Sequence, residues 1–262
     1  MVSRIGQKLG AVLARALQRP LKGYRPFTPS DPQTLRSILR PGDILLVEGN
    51  QHVSAAIKYL TQSTWSHAAL YVASMPGAKN DDGEECCLVE ALVEEGVVMS
   101  PLSKYQNFNT RICRPIGLTR KDREKVVTFM TGSIGKQYDL KNIWDLMRYF
   151  LPFPPVPVRW RRRMIGLGSG DPTRGICSSL IAEAFQSVEY PILPDIEADP
   201  ETSGRISAYS RSEILHIRHH TLFAPRDFDL SPYFAIIKPT LERGFDYRSL
   251  RWAPNDPDTD AE

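Results

Sequence analysis

Apolar positions in this chain fall in short blocks between polar turns, and the blocks change period along the sequence. After a polar, Pro-containing linker, YRPFTPSDPQ (24–33), the run TLRSILRPGDILLVEG (34–49) sets a Pro-Gly-Asp turn before ILLVEG, the pattern of a turn opening a buried strand. VSAAIKYLTQ (53–62) has apolar positions at helical spacing and predicts a short helix. HAALYVASM (67–75) and CCLVEALVEEGVVMSPL (86–102) read as strands, separated by the turn-rich PGAKNDDGEE, and NTRICRPI (109–116) reads as another. TRKDREKVVTFMTGSIG (119–135) predicts a helix with Thr119 as its cap and charge in its early turns, and QYDLKNIWDLMRYFL (137–151) a second one. TRGICSSLIAEAF (173–185) predicts a third, entered through Gly175 with Cys177 in its first turn. HHTLFAPRDFDLSPYFAIIKP (219–239) suggests a loop and then a strand. This order of strand, helix, three strands, helices and a late strand predicts an α+β fold with an antiparallel sheet packed against helices, not the βα alternation of a doubly wound fold.

Composition sharpens the picture only slightly. The chain is 42% hydrophobic and 24% charged with a formal net charge of +3, which argues for a packed domain and gives no reason to expect nucleic acid as a partner. Its 262 residues suffice for one large core, expected over 31–245, with an extension at 1–30 and an acidic tail at 246–262 that reads as disordered. The four cysteines, Cys86, Cys87, Cys113 and Cys177, show no CxxC pair or zinc-type ladder, so no structural metal is expected. They make no disulfide framework either, which suits a reducing, cytoplasmic setting.

Basic charge is uneven. In the first 25 residues Ile5, Leu9, Val12, Leu13, Ala16 and Leu17 form a stripe at helical period, with Arg4, Lys8, Arg15, Arg19 and Lys22 largely off it. Such a helix docks on its own domain or partner, or lies on a membrane surface as a peripheral contact; Arg15 interrupts the apolar run and makes it a poor export signal. A second basic cluster, RWRRR (159–163), sits in the long Pro/Gly/Arg-rich run 152–172. Loops of that length are often binding loops, and Trp160 and Phe153 beside arginines would suit an anionic or amphiphilic ligand; a packed surface excursion explains the run equally well.

The chemistry concentrates in three residues. A helix N-terminus and a nearby imidazolium both stabilise a thiolate, and Cys177 has the first of these from the sequence alone. His67 opens a strand, and Glu90 lies on the next one, alternating with Leu88 and Leu92. If the two strands are neighbours, Glu90 can accept from the imidazole and orient it. Each residue alone has a structural explanation: a buried core thiol, a satisfied histidine, a glutamate paired with an arginine.

Taken in order, RPGDILLVEG, TQSTWSHAALYV, CLVEAL…GVVMSPL, IGKQYD and ICSSLIAEAF resemble the permuted papain-like fold. More narrowly they are similar to the YiiX/YebB-like branch of the NlpC-type superfamily, related in architecture to lecithin:retinol acyltransferase-like enzymes. The resemblance covers residues 36–240 and implies a circularly permuted papain-like fold in which the histidine strand precedes the cysteine helix. It implies Cys177 as nucleophile, His67 as general base and Glu90 as orienting acid, with Tyr138 near the site and Trp160 a further candidate for substrate contact. The activity implied is a cysteine hydrolase or acyltransferase on an amide, ester or thioester, with no metal or organic cofactor and a small-molecule, peptide or lipid acyl group as substrate. The basic extension and the Arg-rich loop lie outside the shared pattern; they tilt the expectation towards a lipid or membrane-proximal substrate.

Overall fold

The computed structural model of the protein describes residues 23–27, 31–92, 95–137, 176–193, 195–198, 213–216, 219–239, 244 and 246–249. The N-terminal stripe, the helix expected over 137–151 (save Gln137) and the Arg-rich loop lie outside these residues.

A six-stranded antiparallel sheet carries the fold. Its strands are β1 (Ile44–Val47), β2 (His67–Tyr71), β3 (Cys86–Leu92), β4 (Gly96–Pro101), β5 (Thr110–Pro115) and β8 (Phe234–Ile237), in the spatial order β4-β3-β2-β1-β5-β8. The period-two pattern divides the side chains between two faces. On one face Ile44, Leu46, Ala68, Leu70, Val89 and Ala91 form a core with Ile181, Ala184 and Phe185 of a helix. On the other, Leu45, Val47, Ala69, Tyr71 and Leu88 pack with Leu35, Leu102 and Tyr105. Burial on both faces explains why ILLV in β1 reads as a continuous apolar run rather than an alternating one.

The helices are α1 (Pro32–Ile38), α2 (His52–Thr61), α3 (Arg120–Thr131), α4 (Ile176–Gln186) and α5 (Pro225–Leu230). Thr119 caps α3 as expected, its side chain accepting from the Asp122 amide. Two helices depart from the sequence expectation. α1 occupies the end of the stretch read as linker: Asp31 caps it, accepting from Thr34 N at 2.8 Å, and Pro32 sits at its start. α5 occupies APRDFDLS, where a loop is expected; Pro225 opens it and Asp227 accepts from the Ala224 amide at 2.9 Å. Both are too short to show a helical period, so only their caps announce them. A two-stranded ribbon of β6 (Asp195–Ala198) and β7 (Glu213–His216) is also new. A 3-10 turn, Tyr247–Ser249, lies at the start of the acidic tail.

One ion pair pins the turn before β1. Asp43, 1% exposed, receives Arg114 of β5 through Nη2 at 2.7 Å and Nε at 3.0 Å, and accepts the Arg40 amide at 2.9 Å. Arg114 also donates to the Ile38 carbonyl at 2.7 Å, tying α1 to the sheet. Removing one partner strands a buried charge, whose cost exceeds what the pair contributes when whole. Arg114→Met should therefore lower unfolding stability by about 3 kcal/mol in urea titration. A loss under about 1 kcal/mol, the range of a surface pair, would show that the pair does not pin this turn.

Candidate active site

His67 is the first residue of β2 and Glu90 the fifth of β3, which lies beside it. Antiparallel pairing of Leu70 with Val89 and of Tyr71 with Leu88 puts Glu90 diagonally across from His67 on the same face. The imidazole Nε2 and Glu90 Oε2 are 2.5 Å apart. Glu90 is 0% exposed, a position where a carboxylate survives only if its oxygens are matched. Lys104 Nζ donates to its Oε1 at 2.6 Å, and the Tyr105 hydroxyl donates to Oε2. Both donors come from the 3-10 turn Leu102–Tyr105 that follows β4 directly.

Cys177 arrives from the other side. It is the second residue of α4, which packs on β2 and β3 through the opposite face of the sheet. The ladder explains how the two sides meet. Among the described residues the β2–β3 pairing runs only through Leu70↔Val89 and Tyr71↔Leu88, with Val72 N continuing it to the Cys87 carbonyl. By the two-residue alternation of strand hydrogen bonds, the Ala68 amide points to the same side as those of Leu70 and Val72. It finds no strand partner there; instead it favours the Cys177 thiolate, as does the Ser178 amide. The His67 ring also acts on the same sulfur, and its charge favours the thiolate. Since Glu90 takes Nε2, the nitrogen facing Cys177 is Nδ1. Gly175 and the residues before it lie outside the described residues.

These contacts set the charges. Burial alone would strip the His67 proton, but the sulfur on one side and Glu90 on the other raise it from 6.5 to about 10. Burial also opposes a thiolate at Cys177; the His67 charge and hydrogen bond, then the two amides, outweigh it and hold the thiol below its ordinary 9.0. Burial opposes ionised Glu90 too, yet His67 and Lys104 hold it well below the usual carboxylate range. Burial, and then the facing carboxylate, pushes the Tyr105 phenol far above its ordinary 10.0, so it remains a donor. The other thiols go the opposite way: burial raises Cys113 strongly and Cys87 to about 11. A thiolate–imidazolium pair oriented by a carboxylate is a nucleophile and a proton donor held in contact.

The structure thus brings Cys177, His67 and Glu90 together, while Tyr138 and Trp160 lie outside the described residues. Among the described residues no group of three or more His, Cys, Asp and Glu is placed to hold a metal ion. Lys104 and Tyr105 were not foreseen. LSKY shows no period or motif that marks it, and only the hairpin geometry carries it to Glu90.

Glu90 also makes stability pH-dependent. Its folded value lies below its ordinary 4.5, so its contribution is complete above 4.5 and is lost as the pH falls further. Below 4.5, wild-type protein should lose stability faster than Glu90→Gln, by about 1 kcal/mol per pH unit in urea unfolding. Parallel slopes for the two proteins would mean that Glu90 is not held as a carboxylate.

A comparison with curated proteins found no match. The crystal structure of the metalloprotein yiiX from Escherichia coli O157:H7 is similar at 15% identity and a TM-score of 0.43, over 76% of this chain and 96% of that one. The model of the permuted papain-like amidase family, YaeF/YiiX type (C92), matches residues 38–150, the stretch that contains both His67 and Glu90. By that match residues 38–150 are similar to the YiiX-like permuted papain-like family.

Proposed function

We propose that the protein is a cysteine-dependent hydrolase of amide bonds in which Cys177, His67 and Glu90 carry the reaction. The observation that carries this reading is the buried sulfur at a helix start, whose thiolate is favoured by the His67 charge and by the Ala68 and Ser178 amides. The Cys177 thiolate attacks the carbonyl carbon, and the charge that forms on oxygen is stabilised by backbone amides at the start of α4. As the C–N bond breaks, His67 gives its Nδ1 proton to the departing amine, leaving a thioester on Cys177. His67, now neutral, takes a proton from water; the hydroxide attacks the thioester, releasing a carboxylic acid and restoring the thiolate–imidazolium pair. Glu90 keeps the ring aimed and supports its charge throughout.

A narrower proposal concerns the acyl group. The basic residues flanking the apolar stripe of the first 25 residues, together with RWRRR, support a lipid or membrane-proximal substrate. Binding to anionic vesicles that is lost on removal of residues 1–25 would support it, and absence of binding by the full chain would remove it. Transfer of the acyl group to an amine in place of water is the variant of the same chemistry, read directly from the products formed when an amine is supplied.

The chemistry is tested with a thiol-reactive probe at about pH 6, where ordinary thiols are protonated. Cys177 should label well ahead of Cys87 and Cys113, and His67→Gln should slow that labelling by about 100-fold. Cys177→Ser should abolish amide hydrolysis with the fold intact. Labelling of Cys177 no faster than Cys113, or indifferent to His67, would leave a binding module on a papain-like scaffold.

A further inference from the structure

We propose that Lys104 and Tyr105 are positioning residues of this site: from one 3-10 turn they hold the Glu90 carboxylate so that Oε2 meets His67 Nε2, and through His67 they keep Cys177 nucleophilic. The proposal rests on the reading of Cys177 and His67 as the reacting pair.

Glu90 has two oxygens and no exposed surface, so protein groups must serve where water would. Lys104 occupies Oε1; His67 and Tyr105 share Oε2. Without the turn, one ring nitrogen would face a buried carboxylate whose second oxygen had nothing. Such a group takes up a proton, and a neutral acid no longer supports an imidazolium.

The turn is built to stay in place. Glu90 pairs with Val98 in the β3–β4 hairpin, and β4 runs straight into Leu102–Tyr105. Leu102 and Tyr105 are buried in the core beneath α1, and the Tyr105 ring packs edge-on against Phe108 at 5.9 Å. The same ring lies 6.0 Å from that of His67. Lys104 is steadied by Ser100 Oγ at 3.4 Å and by the Tyr105 ring at 5.5 Å. Among the described residues, the charged and titratable groups that face Glu90 are therefore His67 from β2 and Lys104 and Tyr105 from the turn, with Cys177 behind His67. Glu95, at the hairpin tip, adds its charge at Tyr105.

The test is the pH profile of Cys177 alkylation by iodoacetamide, with thermal unfolding recorded beside it. Wild-type protein should alkylate well into the acidic range. Lys104→Met and Tyr105→Phe should each move the acid limb upward by about one pH unit. Lys104→Arg, which keeps a cation beside Oε1, should restore the wild-type limb. In a Glu90→Gln background neither substitution should move it further. Limbs unchanged in Lys104→Met and Tyr105→Phe, with wild type still reactive in acid, would overturn the positioning role and leave the hydrolase reading standing. A further shift in the Glu90→Gln background would show that the turn acts on the thiol without Glu90, which also overturns it. A wild-type profile like that of an ordinary thiol would sink the hydrolase reading and this proposal with it.

Discussion

A carboxylate with no contact with water is tolerable only where donors replace the water, and at Glu90 they come from two parts of the chain. His67 reaches it from β2, and Lys104 and Tyr105 from the turn after β4. The demand is severe because an unmatched buried charge costs several kcal/mol. Meeting it constrains much of the fold. β2 and β3 must be neighbours, the β3–β4 hairpin must keep its register, and the turn must sit in the core beneath α1. The same carboxylate then offsets the burial of an imidazolium, and the imidazolium that of a thiolate. One satisfied anion supports a chain of charges that is largely withdrawn from water.

The second constraint is a local failure of pairing. In a fully zipped sheet the Ala68 amide would belong to β3, and α4 on one face would be separated from His67 and Glu90 on the other. Because the β2–β3 ladder stops at Leu70↔Val89, that amide is free and the start of α4 can reach the histidine. The ends of ladders are where a sheet can spend its hydrogen-bonding groups on chemistry. A helix beginning at that point adds the amides of its first turn and the positive end of its dipole.

Legibility varied with the range of the signal. The strands showed in the sequence because period-two alternation and flanking Gly/Pro turns are encoded within a few residues; PGD before ILLV and the DDGEE turn before CCLVEAL are examples. Helix α3 showed through Thr119 and its spacing. α1 and α5, two turns or fewer, have no room for a period, and their Pro-led starts resemble loop. Ribbon strands β6 and β7 are four residues each, below the length at which alternation is distinguishable from chance. Glu90 could be singled out as a carboxylate among apolar neighbours, and that oddity was the clue to its pairing. Lys104 offered no such clue, since a lysine beside a tyrosine after a strand is ordinary on any surface.

By itself the sequence determined the order of the pieces: a histidine opening one strand, a glutamate on the inner face of the next, a cysteine in the first turn of a later helix. It determined these because strand alternation, turn chemistry and helix entry are local properties of the chain. Only the tertiary structure decided that the three meet, that β2 and β3 part where Cys177 needs an amide, and that Lys104 and Tyr105 complete the carboxylate's donors. Those facts depend on register and on which face a helix covers, and both are set by burial across the whole core rather than by any stretch a reader can scan.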